Sequence, residues 1–397
     1  MTPSFLTDME QDDSQFQNET SQSSVAISTD HEPIEKTIRK VETNEQFFKE
    51  EKRSGCLAEK PPLESYQEIK IPPGKITLHT LLDIIHHHTP TGCTTYNINL
   101  SALHCIRTEL EQLHAMIGLH TFKDAVVNQL LYFVQQLHIS EVHFEGDYRH
   151  TVLYGPPGTG KTEIAKLLGN MYAKLDVFNQ TTLEDTKPRI PKFRKVTRHD
   201  LVAGYLGQTA IKTNKVIEEC LGGCLFIDEA YSLGNSDSNS SDSYSQECID
   251  TLCEALSNHK QCLMVIIAGY EDSIRRNFFA ANPGLDSRFV WRFYLDEYTD
   301  KEMYEIFCKK VQDHRWKLCD QFQSTWFETK KQTFVNQGRD METLVSYAKI
   351  AHGRRIFGEI CSSQRMLITE DVNEGYQSFL THLSRRGSQE TPFGMYI

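Results

Sequence analysis

The segment Gly155-Pro156-Pro157-Gly158-Thr159-Gly160-Lys161-Thr162 has the residue types and spacing that can hold a chain of phosphates. Its glycines let backbone N–H groups curl around phosphate oxygens without Cβ clashes. A helix expected over Glu163–Tyr172 brings the partial positive charge of its N-terminus to the same place. Lys161 would reach the β- and γ-phosphates, and Thr162 would offer a hydroxyl oxygen to Mg²⁺. Farther along, the apolar run Cys224-Leu225-Phe226-Ile227 ends in Asp228-Glu229. Asp228 would hold Mg²⁺, mainly through its water shell. Glu229 would polarise an attacking water, which is general-base work. A nucleotide switch does not need that second carboxylate, so the pair favours hydrolysis.

These groups need elements that bring them to one edge. Thr151–Tyr154 reads as a short strand leading into the glycines, and Cys224–Ile227 and Leu263–Ala268 read as two more. Helical stretches lie between them, which predicts an α/β fold: a parallel sheet sandwiched by helices. Ahead of it, Leu103, Ile106, Leu110, Leu113 and Ile117 recur at helical spacing until Gly118 breaks the pattern. A second helix is expected from Phe122 to about Leu137. After about Asp296 the strands stop. Thr299 and Glu302 form a capping-box pattern that starts a helix through about Leu318, followed by helices over Met341–Ile356 and Asp371–Leu383.

The 397 residues divide accordingly. Residues 1–75 read as a disordered acidic arm and Pro-rich linker, since residues 1–60 carry 13 acidic and 7 basic side chains and little to bury. Residues 76–100 are a short segment around the apolar Leu78–Ile85, followed by His86, His87 and His88, read as a solvated run. Residues 101–296 form the nucleotide-binding α/β domain, 297–385 a small all-helical domain, and 386–397 a flexible tail. The Ser/Asp/Asn run Gly234–Ser245 reads as a mobile loop.

Net charge is −12, so the chain lacks the basic field of a protein that neutralises nucleic-acid phosphates. Nucleic acid is therefore not the expected partner, although a local basic groove stays open. No stretch approaches the roughly 18 apolar residues of a membrane span. Eleven cysteines without a repeated CxxC read as reduced thiols. The expectation is a soluble intracellular protein of the cytoplasm, or of host cytoplasm or virion if the source is viral.

Taken in order, Gly155–Thr162, Asp200–Thr209, Gly222–Tyr231 and Asn282–Phe289 resemble the AAA+ ATPases, P-loop NTPases with a helical lid after the sheet. The branch that includes stage V sporulation protein K and the red-type rubisco activases is the most similar, and it has relatives in large DNA viruses. The resemblance covers about Leu110 to Leu383 and does not reach the first hundred residues. It implies ATP and Mg²⁺ as cofactors and a ring of identical copies, a hexamer, acting on a protein or peptide client. Tyr205 falls at the central-pore aromatic, where an aromatic flanked by glycines would grip extended peptide. Arg288 matches the arginine finger given to a neighbour's γ-phosphate, with Arg275, Arg276 and Arg292 as rivals. Arg339 matches the sensor-2 arginine of the lid, with the His352-Gly353-Arg354-Arg355 stretch as its rival. Gly269-Tyr270-Glu271 stands where many relatives carry a sensor-1 Asn or Thr, which leaves Tyr270 as the candidate there. The alternatives are an ATP-dependent switch and a nucleic-acid-associated loader.

Overall fold

The structure, a computed structural model, describes residues 67–69, 74–90, 94–138, 147–175, 177–178, 192–205, 207–234, 243–358 and 365–387. Most of the expected acidic arm, the centre of the Gly234–Ser245 run and most of the expected tail lie outside these residues.

Five parallel strands form the central sheet: β1 (Thr151–Tyr154), β2 (Lys192–Val196), β3 (Gly223–Ile227), β4 (Leu263–Gly269) and β5 (Trp291–Tyr294). Their order is β2-β3-β4-β1-β5. The three central strands are buried along their whole length. Parallel sheets covered on both faces read as such continuous apolar runs. Side chains alternate between the faces: Leu153, Phe226 and Ile266 enter one core, and Val152, Leu225 and Val265 enter the other.

Sequence pattern alone finds β1, β3 and β4 but not β2 and β5. Those two are the sheet edges, and they carry Lys192, Arg194 and Lys195, or Arg292. An edge strand pairs on one side only and tolerates charge there, so no apolar run marks it.

Helices α1 (Leu78–His87), α2 (Arg107–Ala115), α3 (His120–Val134) and α4 (Lys161–Lys174) pack on the first face. Helices α5 (Thr209–Cys220) and α6 (Ser243–Asn258) pack on the second. The single helix expected from Ser101 to Ile117 is two pieces, Leu100–Cys105 and α2, separated at the fully buried Ile106. Beyond the short α7 (Pro283–Arg288), the capping box of Thr299 and Glu302 forms as expected and opens α8 (Asp300–Asp313). This helix stops five residues short of Leu318, because Arg315 turns the chain at φ +60. Lys317–Leu318 then pairs with Met366–Leu367 in a two-residue parallel ladder, so strands do not end at Asp296.

Helices α9 (Gly338–Arg355) and α10 (Thr369–Gly387) complete the helical part. The first core runs on from the sheet through Phe307, Phe334 and Leu344 to Phe379, and residues 65–397 make one compact unit. Among the described residues, no helix is long and apolar enough to cross a membrane.

Candidate active site

With all five strands parallel, β1, β2, β3 and β4 deliver their C-terminal ends to one edge, the usual ligand edge of an open α/β sheet. Gly155 N–H donates to Gly269 O at 3.2 Å and Asp228 N–H to Val196 O at 3.1 Å, which ties the loops beyond these strands together. The phosphate-type loop leaves β1 and ends at Gly160, the residue before α4. Gly158 and Gly160 have φ of +77 and +85, conformations that disfavour any side chain. A Cβ on Gly158 would also lie 1.8 Å from the Asn336 carbonyl oxygen, whereas one on Gly160 meets nothing within 4 Å. Thr159 Oγ1 donates to Pro156 O at 2.9 Å and closes the turn.

The loop lines a cleft of about 630 Å³ together with Thr162, Asp228, Glu229 and Arg339. Lys161 is buried, and its ammonium donates to the carbonyls of Gly155 and Pro156 at 3.0 and 2.8 Å. Burial pulls its pKa down, opposed by the charges of Glu229 and Asp228 and reinforced by Arg339. Thr162 Oγ1 lies 3.4 Å from Asp228 Oδ2. Glu229 sits at φ +53 where β3 turns into a 3₁₀ turn, and its Oε2 is buried with no hydrogen-bond partner. Tyr231 loses solvent at the same spot and hydrogen-bonds Glu229, and both effects push its phenol pKa far up. The Tyr270 ring centroid lies 5.8 Å from the Lys161 ammonium and 6.0 Å from the Tyr231 ring.

The helical part closes the other side. Gly338 N–H donates to Gly158 O, and the Tyr298 hydroxyl to Thr159 O, each at 3.2 Å. Arg339 thereby enters the cleft wall beside the loop. Met116, Ile117, Leu119 and Ile306 add an apolar lining to the cleft. Sequence reasoning missed this lining. Its one legible sign is the apolar Met116–Leu119 segment interrupted by Gly118, which reads as a helix end; in the fold, Gly118 and Leu119 both take positive φ. Lys195 is the other omission: its ammonium lies 2.6 Å from Asp228 Oδ2.

Other candidates stand elsewhere. Arg288 lies outside the cleft wall; its Nε donates to Ser257 Oγ at 2.8 Å, and its guanidinium lies over the Tyr148 ring at 5.9 Å. Arg275, Arg276 and Arg292 are paired with Glu271, Asp272 and Asp286. The rival stretch at His352 is not in the cleft: His352 and Arg355 are bound to the buried Asp371. Tyr205 is 74% exposed on the loop between Leu201 and α5; Leu206 beside it lies outside the described residues.

Residues 151–289 match the family model for AAA, the ATPase family associated with various cellular activities. A cfxQ-like protein of Acanthamoeba polyphaga mimivirus is 35% identical over 287 residues, covering 71% of this chain and 67% of that protein. The chain belongs to the AAA family of ATPases. The CfxQ homolog of Pyropia yezoensis is 32% identical over 240 residues, covering 59% of this chain and 76% of that one. These relatives put this AAA ATPase in the CfxQ-like branch and include a large DNA virus, as the motifs imply. The ESX-1 secretion system protein EccA1 of Mycobacterium tuberculosis is 43% identical over 158 residues, but the match spans only 26% of EccA1. Nucleotide binding and ATP hydrolysis are the properties that membership of the AAA family assigns.

The site also fits the metal that such chemistry uses. Thr162 and Asp228 offer a hydroxyl and a carboxylate oxygen, 3.4 Å apart, the hard donors that Mg²⁺ takes.

Proposed function

We propose that this chain is an ATP-driven motor that works as a ring of identical copies, a hexamer, and remodels or threads a protein client. Residues 101–296 act as the nucleotide domain and 297–385 as its lid. Gly155–Gly160 and Lys161 bind the phosphates, with the helix N-terminus of α4 adding positive charge. Thr162 and Asp228 would hold Mg²⁺, which supplies charge neutralisation at the phosphate oxygens. Glu229 orients the attacking water and accepts its proton. Tyr270, its ring 5.8 Å from the Lys161 ammonium, stands at the sensor-1 position, and Arg339 carries the lid's response to the γ-phosphate. The apolar side chains of Met116, Ile117 and Leu119 in the cleft lining take the base of the nucleotide.

One observation carries the ring. The cleft gathers Lys161, Asp228, Glu229 and Arg339, while Arg288 lies outside its wall, held by Ser257 and Tyr148. A γ-phosphate cation supplied by another copy accounts for a finger kept away from its own site. Lid movement on hydrolysis would pass through Gly338 and Gly158 to the sheet edge and on to the exposed Tyr205 loop. The acidic net charge favours a polypeptide over nucleic acid as the client.

The test is complementation between inactive copies. Arg288→Ala should lower ATP turnover about 10³–10⁵-fold. Lys161→Ala should be inactive too. Mixed, they should recover measurable turnover, because a Lys161→Ala copy can lend Arg288 to a neighbour's intact loop. Full activity of Arg288→Ala alone, or no recovery in the mixture, would remove the ring reading.

A further inference from the structure

Lys195 occupies the place where sequence reasoning puts only oxygen ligands. Its ammonium lies 2.6 Å from Asp228 Oδ2 and donates to Thr162 Oγ1 at 3.4 Å. Those two oxygens lie 3.4 Å from each other, so one cation bridges the strand end and the start of α4. The bridge is built into the fold. Lys195 is the penultimate residue of β2 and pairs in the ladder with Phe226, two residues before Asp228. Its ammonium also lies 5.9 Å above the Phe226 ring. Asp228 is only 19% exposed, so this ion pair is partly withdrawn from water, unlike the chain's surface pairs.

An ammonium and a magnesium ion make competing claims on such a pair of oxygens. Mg²⁺ binds oxygen at about 2.0–2.1 Å and demands near-octahedral geometry. A second cation on the same carboxylate oxygen repels it and uses its lone pairs. The lysine stem is long and flexible, so it can swing aside while staying at the phosphate end.

We propose that Lys195 is a tethered cation that competes with Mg²⁺ for Asp228 and Thr162 and so sets the magnesium concentration at which nucleotide is held. It is a positioning residue, keeping the Asp228 carboxylate against the Thr162 hydroxyl. This rests on the reading of Thr162 and Asp228 as the metal's ligands.

The experiment titrates Mg²⁺ into the full chain with a fluorescent ADP analogue and reads bound nucleotide by anisotropy. Lys195→Met and Lys195→Gln should each lower the Mg²⁺ midpoint about three- to fivefold, the scale of one partly exposed ion pair. Lys195→Arg, which keeps the charge, should stay within about twofold of the parent. With metal removed by chelator, the Met and Gln variants should bind the analogue more weakly than the parent, having lost a cation near the phosphates. Asp228→Asn serves as the control and should raise the midpoint. If the Met and Gln variants keep the parental midpoint while Asp228→Asn raises it, the competition is refuted and the metal site stands. If Asp228→Asn leaves the midpoint unchanged, the metal assignment falls and the proposal falls with it.

Discussion

Asp371 and Asp228 are both carboxylates set beside cations, but their surroundings differ. Asp371, in the helical part, is 2% exposed and fully engaged. It accepts from Arg355 Nε and Nη2 at 2.8 and 2.9 Å, from Ile368 N–H at 3.1 Å, and faces His352 Nδ1 at 3.1 Å. Burial alone would raise its pKa, but these hydrogen bonds hold it below the usual carboxylate range. Trp316 packs edge-on against His352. At the sheet edge, Asp228 has one lysine and one long contact to a hydroxyl, and the neighbouring Glu229 has a buried oxygen with no partner. A cluster that is complete holds structure together. One that leaves carboxylate capacity unused, in the wall of a cleft, is built to engage something else.

Replacing a carboxylate in each cluster should separate the two kinds. Glu229→Gln should lower ATP turnover by about 10²–10⁴-fold, the range of a general base, with nucleotide affinity and thermal midpoint nearly unchanged. Steady-state phosphate release and a melting curve measure both. A loss under tenfold would break the contrast at its functional end.

Asp371→Ala should do the reverse. It removes the acceptor that Arg355 and His352 share, and losing one partner of a buried pair costs about 3–5 kcal/mol of unfolding free energy, with the lower end expected because Arg355 is 36% exposed and keeps access to water. Urea denaturation reads that loss, and nucleotide affinity measured on the folded fraction should hold. A weaker affinity without a stability change would restore the His352–Arg355 stretch as a phosphate contact.

Much of this was legible in the residues, and the gaps have physical causes. Lys161 and Thr162 could be read because phosphate binding needs backbone torsions that only a local glycine pattern supplies. Asp228 and Glu229 could be read because a buried parallel strand is a continuous apolar run whose end is visible. Lys195 was hidden: it belongs to a charged edge strand, and its partner is fixed by a ladder to a segment some thirty residues away. The apolar lining of the cleft was hidden likewise, since Ile306 joins Met116 and Leu119 only when α8 comes up beside the Gly118 turn, where Glu302 lies 3.9 Å from His120. Arg339 and the His352–Arg355 stretch look equally basic in sequence, and only the fold tells them apart, by putting Arg339 in the cleft wall and tying Arg355 to Asp371.

The smallest expected effect comes from His150, a titratable group on the closed side of the comparison. It is fully buried just before β1; its Nδ1 accepts from Val265 N–H at 3.1 Å and its Nε2 faces Leu256 O at 3.2 Å. Burial, chiefly, pushes its pKa down to about 4; the Leu256 contact opposes this, and Arg149 and Arg288 add to it. Above pH about 6.5 the ring is neutral in both folded and unfolded chains and contributes no pH dependence. As pH falls below that value, the unfolded chain takes up a proton that the native ring refuses, so stability declines. The loss levels off near pH 4 at about 3 kcal/mol, since every tenfold drop in proton affinity on folding is worth about 1.4 kcal/mol. His138, also held at about 4 by burial, adds a similar slope in the parent. Subtracting a His150→Gln series from the parental one isolates the first group, because Gln can still accept from Val265 and donate to Leu256 but does not titrate. The difference should steepen by one proton between pH about 6.5 and 4.5, and parallel curves would mean that His150 becomes charged without leaving the core.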